Sequence, residues 1–374
     1  MKQYVYADNA ATTKLDKVAF DAMSPFLMDE YGNASQPYAF ARSPKKALQE
    51  ARETIASCIG ASPDEIFFTS GGTESDNWAI KGIAMSDEGN HTIITSSFEH
   101  HAVLHSCAAL ERQGHRIIYL RPDHSGVISA GELREKITED TKLVSIMYAN
   151  NEIGSIQPIE NLCKIAHSKG ALFHTDAVQA VGHVKIDVKS LGIDMMSASA
   201  HKFNGMKGCG FLYVRKGCQL PPYADGGSQE SGHRAGTENI PGIVAMATAL
   251  KNNCSQLDEN KDRIARLEQE LLRQLKETHI SFLRNGGENT LPGLVSLSFP
   301  GADGEAILHR MDLMGICIST GSACNSQDTE VSHVLKAIEL NEDYAKGTIR
   351  ISLGKYNTVE DVEKIVRGLE KILG

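Results

Sequence analysis

Nothing in this chain reaches the length of a membrane span, and Met1-Lys-Gln-Tyr-Val-Tyr-Ala-Asp8 arrives at an acid before any apolar run long enough for a secretory leader. A cytoplasmic protein with no membrane partner is expected. Positive charge is also short: 38 Lys and Arg against 47 Asp and Glu leave a formal charge of −9, which argues against direct nonspecific binding to nucleic acid. The eight cysteines, at 58, 107, 163, 209, 218, 254, 317 and 324, lack the close paired spacing of a zinc site or a secreted disulfide framework. No metal site is expected, and most of these thiols read as buried apolar groups. Internal repeats and low-complexity tracts are missing as well.

What remains is an ordinary globular composition, 41% hydrophobic and 23% charged, over 374 residues, enough for two domains. Ser43-Pro44, then Leu48, Ala51 and Ile55, with Gly60 at the end, spell a capped amphipathic helix. Glu65–Ser70 reads as a strand, and Gly71-Gly72-Thr73 opens the helix after it. Backbone amides and the helix dipole at such an N-terminus suit a phosphate, and the Thr73 hydroxyl adds a donor. Further strands are expected at Thr92–Thr95, Arg116–Leu120, Lys142–Tyr148, Ala171–Thr175, Met195–Ser199 and Gly210–Arg215, alternating with helical patterns. That alternation predicts an α/β fold with a mostly parallel sheet.

In such sheets ligands bind at the carboxyl ends of the strands, where the sequence places His100, Asn151, Asp176 and Lys202. A long charged periodic segment from Ile243 to Thr278 reads as a bridging helix or helix pair. Beyond it, strands near Leu294–Phe299, Ile316–Ser319 and Thr348–Leu353 and helices near Gly304–Leu313, Ser332–Ile338 and Val359–Leu373 make a small α+β domain. The expected division is 13–258 for the large domain and 1–12 with 259–374 for the small one.

The chemistry centres on Ser199-Ala-His-Lys-Phe-Asn-Gly-Met-Lys-Gly-Cys-Gly-Phe-Leu-Tyr213. A lysine where a strand ends, beside glycines that admit another group, is placed to form a Schiff base, although most lysines only solvate a surface. Upstream, Phe173-His-Thr-Asp-Ala-Val-Gln179 puts an acid at another strand end. Pyridoxal phosphate (PLP) needs both: a carboxylate such as Asp176 to keep its ring nitrogen protonated, and a lysine such as Lys202 to carry its aldehyde carbon. Among the cysteines only Cys324, in Ser319-Thr-Gly-Ser-Ala-Cys-Asn-Ser-Gln-Asp328, reads as exposed and reactive.

From Tyr6-Ala-Asp-Asn-Ala-Ala-Thr-Thr13 to Ile349-Arg-Ile-Ser-Leu-Gly354 these motifs resemble, in order, those of the cysteine desulfurases, class-V aminotransferases of PLP-dependent fold type I. The resemblance implies conversion of L-cysteine to L-alanine, with sulfur left as a persulfide on Cys324 and Lys202 as the base. It makes His100 the histidine stacked on the cofactor ring, in place to exchange protons with substrate. Asn151 and Gln179 become hydrogen-bonders to ring substituents, and Arg350, with Asn151, the substrate-binding pair. Gly72, Thr73, Ser199 and His201 become phosphate ligands, joined by Thr237 from a partner subunit, which implies a homodimer. Sulfur would pass to an acceptor protein, either an iron–sulfur scaffold or a tRNA-thiolating enzyme.

Three positions depart from the family: Tyr38, in Asn33-Ala-Ser-Gln-Pro-Tyr38, where relatives usually carry Asn-Pro and a histidine; Met206 for a proline; and Ser231 for an arginine. They touch the rim of the site and the dimer seam. A selenocysteine lyase or an aminotransferase on the same fold would share Lys202, Asp176 and Arg350, but a transaminase has no use for Cys324. A catalytically silent scaffold would need neither lysine nor thiol.

Overall fold

The computed structural model describes residues 4–320 and 331–374. Among them are thirteen strands: β1 (Val5–Tyr6), β2 (Ile66–Thr69), β3 (Thr92–Ser96), β4 (Arg116–Leu120), β5 (Thr141–Ser145), β6 (Leu172–Asp176), β7 (Met195–Ser199), β8 (Gly210–Val214), β9 (Leu283–Asn285), β10 (Leu294–Ser298), β11 (Ile316–Cys317), β12 (Ser319–Thr320) and β13 (Thr348–Ser352). Seven form one sheet in the order β2-β8-β7-β6-β5-β3-β4. Neighbours run parallel from β7 to β4, whereas β8 is antiparallel to both β7 and β2.

Alternation of side chains along each strand sorts this sheet into two apolar layers. Ile93, Leu143, Met195 and Leu212 pack with Trp78 and Ile80 of the helix Gly72–Ala84. The neighbouring residue on each strand faces the other way: Ile94, Val144, Met196 and Phe211 pack with Ile55 and Ile59 of the helix Arg42–Ile59 and with Leu162 of Ile159–Ser168. Strands covered on both faces are apolar along their length, which is why they read as continuous runs.

A second sheet, β12-β13-β10-β9, is antiparallel throughout. Val295, Leu297, Ile349 and Ile351 of its strands join Ile264, Leu267 and Leu271 of the helix Leu257–Glu277 and Val362, Ile365 and Leu369 of Val359–Leu373 in a separate apolar cluster. The chain's first strand belongs here: β1 pairs in parallel with β11, and the amide of Ser352 donates to Ala7 at 2.8 Å. No helix of the described residues is long and apolar enough to cross a membrane.

Several sequence expectations shift locally. The segment from Ile243 to Thr278 is a helix pair, Ile240–Ser255 and Leu257–Glu277, broken at Gln256, whose ψ of 18° leaves the helical region. The helix expected to be capped by Ser43 begins at Arg42 without a side-chain cap; Ser43 lies in its first turn and donates to Glu30. Pro44 is tolerated there because first-turn amides have no helical acceptor, and Gly60 ends the helix at φ +73°. Ile316–Ser319 is not one strand but two short pieces serving different sheets. Of the described cysteines only Cys107, Cys163 and Cys209 are buried, while Cys58, Cys218, Cys254 and Cys317 are half-exposed. The expectation that most thiols are buried is thereby corrected: each of the four touches an apolar cluster on one side or a sheet edge, not on all sides.

Candidate active site

A cavity of about 550 Å³ opens at the carboxyl ends of the central strands. Each wall is a strand followed by a turn: Gly72 and Thr73 after β2, His100 after β3, Asn151 after β5, Asp176 and Gln179 at β6, Ser199, His201 and Lys202 at β7. Arg350 enters from the other sheet, on β13. Ten residues singled out from sequence thus line one space.

Lys202 closes a single turn of 3₁₀ helix, Ala200–Lys202, directly after β7. Its Nζ donates to the carbonyl oxygens of Ala10 at 2.5 Å and Ala11 at 2.9 Å. The same N-terminal stretch holds the turn from the other side: the amide and hydroxyl of Thr13 donate to the His201 carbonyl at 2.9 and 2.8 Å. His201 Nδ1 meets Thr12 Oγ1 at 3.1 Å. Gln179 Nε2 also donates to Ala10, at 3.0 Å. The residues Ala10 to Thr13 therefore act as a clasp over the lysine turn.

Asp176 ends β6 with 5% exposure and accepts from the Val178 amide at 2.9 Å. Burial pushes its carboxyl above the ordinary range, while His100, the Val178 amide and Lys202 pull the other way. A buried acid in this condition is completed by a cation or an N–H donor delivered into the cavity. Beneath it lies Asp76, one turn into the helix Gly72–Ala84, with 1% exposure and a pKa raised well above normal by burial and by the charge of Asp176. Its Oδ1 has no hydrogen-bond partner among the described residues and stands 3.7 Å from Nε2 of His174. That imidazole bridges Ser145 at 2.8 Å and Ser197 at 2.9 Å, and burial depresses its pKa to about 3, so it is neutral.

His100 is the N-cap of the helix His101–Glu111, and its Nδ1 accepts from the Ala102 amide at 3.1 Å. An accepting Nδ1 puts the ring proton on Nε2. Burial lowers the pKa of the ring, as does Lys202, against the opposing pull of Asp176. His100 is thus a neutral imidazole with a donor on its far nitrogen. Arg350, 5% exposed, donates from one terminal nitrogen to the Asn151 carbonyl at 2.7 Å and from the other to Asp8 at 2.9 Å. Its buried Nε has no partner among the described residues. Anchored on both terminal nitrogens, the guanidinium is held in one orientation at the cavity wall.

Sequence reasoning missed the groups that hold these ones. Asp8 and the carbonyls of Ala10 and Ala11 sit in Tyr6–Thr13, a stretch noted only as a match. Glu99, fully buried next to His100, takes two bonds of 3.0 Å from the Met147 amide, and burial raises its pKa to about 8. An acid between Phe98 and a histidine pair was a usable signal. Glu152 accepts from the Ser332 hydroxyl at 2.6 Å, and burial raises its pKa to about 7.

One expected residue is not brought to the cavity. Thr237 is exposed and does not line it within one chain; it follows Arg234, which pairs with Glu74 at 2.9 Å in the first turn of the helix Gly72–Ala84. Cys324 lies outside the described residues.

Residues 5–365 match the family described as aminotransferase class-V. A cysteine desulfurase IscS of Dictyoglomus turgidum is 48% identical over all of this chain and 95% of its own length. Another, from Methanosarcina thermophila, is 47% identical over 99% of this chain and 92% of its own. Among solved structures, a NifS-like protein superposes with a TM-score of 0.94 at 39% identity, covering 99% of both chains. A protein solved as SspA in complex with cysteine gives a TM-score of 0.85 at 39% identity over 94% of this chain and 99% of that one.

Proposed function

The chain belongs to the class-V aminotransferases and within them to the cysteine desulfurases, PLP-dependent enzymes, and from that premise we propose how its own residues turn L-cysteine into L-alanine and pass the sulfur on. One observation carries the reading: Lys202, Asp176 and Arg350, from distant parts of the chain and from two sheets, line a single cavity.

The residues present fit the cofactor. Its phosphate suits the N-terminus of the helix Gly72–Ala84, where Gly71 and Ser199 approach closely enough that a Cβ on Gly71 would lie 3.4 Å from the serine hydroxyl. Thr73, Ser199 and His201 supply side chains for it, and Gly72 its amide. Asp176 would hold the ring nitrogen, His100 would lie beside the ring, Gln179 and Asn151 would bond its substituents, and Lys202 would hold the aldehyde carbon. When bound, PLP supplies an electron sink for the bonds broken at the substrate's α-carbon.

Arg350 fixes the substrate carboxylate by two parallel hydrogen bonds, with Asn151 beside it, so that the Cα–H points at Lys202. Lys202 would take that proton as a general base, and Asp176 would keep a proton at the cofactor's ring nitrogen. His100, with its donor on Nε2, hydrogen-bonds to a substrate heteroatom or supplies the proton that the product's β-carbon gains. The Cys324 thiolate attacks the substrate sulfur: an S–S bond forms, the C–S bond breaks, and the persulfide remains on the enzyme.

The other parts of the reading concern assembly and delivery. Thr237 is assigned to the phosphate site of a partner subunit, supported by its exposure and by the Arg234–Glu74 pair that ties its loop to the helix at that site. The enzyme is then a homodimer with composite sites. The chain divides into 13–258 and the remainder, supported by separate apolar clusters on the two sheets, with Val334, Leu335, Ile338 and Ala345 of the remainder packed against the large sheet's cluster. Sulfur goes to an iron–sulfur scaffold or a tRNA-thiolating protein, in the cytoplasm.

The test is to incubate the holoenzyme with sulfur-labelled L-cysteine, digest without reductant and map the label. Persulfide on Cys324, with alanine released in step, is the expected result, and Cys324→Ser should lose sulfur transfer. Label on another cysteine, or undiminished transfer in the variant, refutes the assignment.

A further inference from the structure

The lysine turn is held by more than the clasp. Its carbonyl oxygens from His201 to Phe203 each accept from a side chain of a different element: that of His201 from the Thr13 hydroxyl at 2.8 Å, that of Lys202 from Nε2 of His183 at 2.9 Å, and that of Phe203 from Nδ2 of Asn253 at 2.6 Å. A carbonyl only accepts, so the ring proton of His183 sits on Nε2. His183 also closes the run that begins at Asp176. From that acid the chain makes two successive turns, with the amides of Ala180 and His183 donating to Ala177 and Ala180 at 2.9 Å each. Gly182, at φ +79°, lets the run approach the lysine turn so closely that a Cβ there would lie 2.8 Å from Cβ of Phe203. We propose that His183 is a positioning residue for the reaction: through the Lys202 carbonyl it sets the reach of that lysine and ties the turn carrying Asp176 to the turn carrying the base, a role that rests on the assignments of Lys202 and Asp176 made above.

Packing alone does not fix this turn. A second cavity of about 70 Å³ adjoins it, lined by Thr13, Gly182, His183, Asn204 and Asn253 with Leu353 from beyond β13. Where a wall is open, groups have no packed neighbour to hold them on that side, and hydrogen bonds decide where the backbone lies. Asn204 shows the same dependence: at φ +64° it is in the left-handed region, with its amide donating to the Thr13 hydroxyl at 2.8 Å and its side chain to the Lys14 carbonyl at 2.9 Å. The bond from His183 differs from its neighbours because it grips the residue whose side chain does the chemistry. Any rotation at the Lys202 backbone is magnified along its four methylenes, and a misplacement of about 1 Å between reacting atoms costs about a hundredfold in rate. His183 lines the second cavity and not the first, so it acts only through Lys202. Substrate is bound by Arg350 and Asn151, on other elements, so the loss of His183 falls on kcat and leaves KM in place.

The experiment compares three variants of the PLP-loaded enzyme. His183→Gln keeps an N–H donor at the reach of Nε2, His183→Asn stays polar but falls one methylene short, and His183→Phe fills the space of the ring without a donor. Steady-state kinetics with L-cysteine are paired with a pH titration of the visible absorbance of the bound cofactor, which reports how the lysine's bond to it is aligned with the ring. The Asn and Phe variants should lose about ten- to a hundredfold in kcat, keep KM within about threefold and show a displaced absorbance midpoint, whereas Gln should match wild type on all three within about threefold. An unchanged kcat in His183→Asn, an equal loss in the Gln and Asn variants, or a loss carried by KM overturns the proposal. Should the Phe variant not fold, the Gln and Asn pair still decides, since the two differ by one methylene. Borohydride reduction of the wild type separates the two ways of failing: an adduct on Lys202 with unaffected variants removes only the role of His183, and an adduct on another lysine removes the assignment on which it rests.

Discussion

Lys202 Nζ donates to the carbonyl oxygen of Ala11 at 2.9 Å, across 191 residues of chain. Main-chain acceptors therefore hold the lysine at its turn by hydrogen bonds that another partner can replace.

Replacing it tests the centre of the reading. Lys202→Ala should cut alanine release from L-cysteine by at least about 10²–10⁴-fold, the range of a lost general acid–base group. Borohydride reduction of the wild-type holoenzyme should fix the cofactor on Lys202; an adduct on Lys207, which also lines the cavity, would reassign the site.

Arg350 should act on substrate binding. Lys in its place keeps the charge but loses the fork, and charged hydrogen bonds of this kind are worth about 1.5–3 kcal/mol. Arg350→Lys should raise KM for L-cysteine by about ten to a hundredfold while kcat moves less. Steady-state kinetics with a circular-dichroism check on folding decides; an unchanged KM would remove Arg350 from the substrate.

Glu99 gives a prediction in pH. Its carboxyl titrates at about 8 in the folded protein because of burial, against about 4.3 in an unfolded chain. Between those values the native state keeps a proton that the unfolded state has lost, so the contribution is complete below the unfolded pKa and is lost as pH rises through about 8. The slope is at most about 1.4 kcal/mol per pH unit. Unfolding of Glu99→Gln, which cannot titrate, should depend less on pH between 5.5 and 8.5 than wild type, both followed by denaturant melts at several pH values. Glu152, raised in the same direction, is present in both proteins, so the difference isolates Glu99. Parallel curves would show that Glu99 is ionised in the native state.

Thr237 can be tested by complementation. Thr237→Ala homodimers should lose PLP on dialysis faster than wild type. Mixed with Lys202→Ala chains, a heterodimer should regain one site of wild-type retention if Thr237 acts across the interface, and none if it acts within its own chain. Retention measured on purified, differently tagged heterodimers separates the two.

How far the sequence could be read followed from where the chemistry sits. Asp176 and Lys202 were legible because a titratable residue closing an apolar strand has few structural reasons to be there, and both strands were found within a residue or two. The clasp was not: Ala10 and Ala11 contribute carbonyl oxygens, which every residue has, and β1 is two residues long, too short to show a period. Asp76 faces the cavity from the first turns of a helix whose acids otherwise look like ordinary dipole partners. Ile316–Ser319 reads as one strand because its apolar run is continuous, but the change of partner at Ile318 is a tertiary event.

The clasp also sets an order in time. Residues 5–13 leave the ribosome well before their partners Lys202, Ile316, Arg350 and Ser352. Until those partners have emerged, this segment has no sheet to join and the lysine turn no cover. The seven-stranded sheet, complete by Val214, can form earlier and must wait with an open pocket. Catalytic competence is therefore acquired only after β13 is made, and removal of residues 5–13 or of β13 should leave the same product: a folded sheet whose lysine turn stays uncovered.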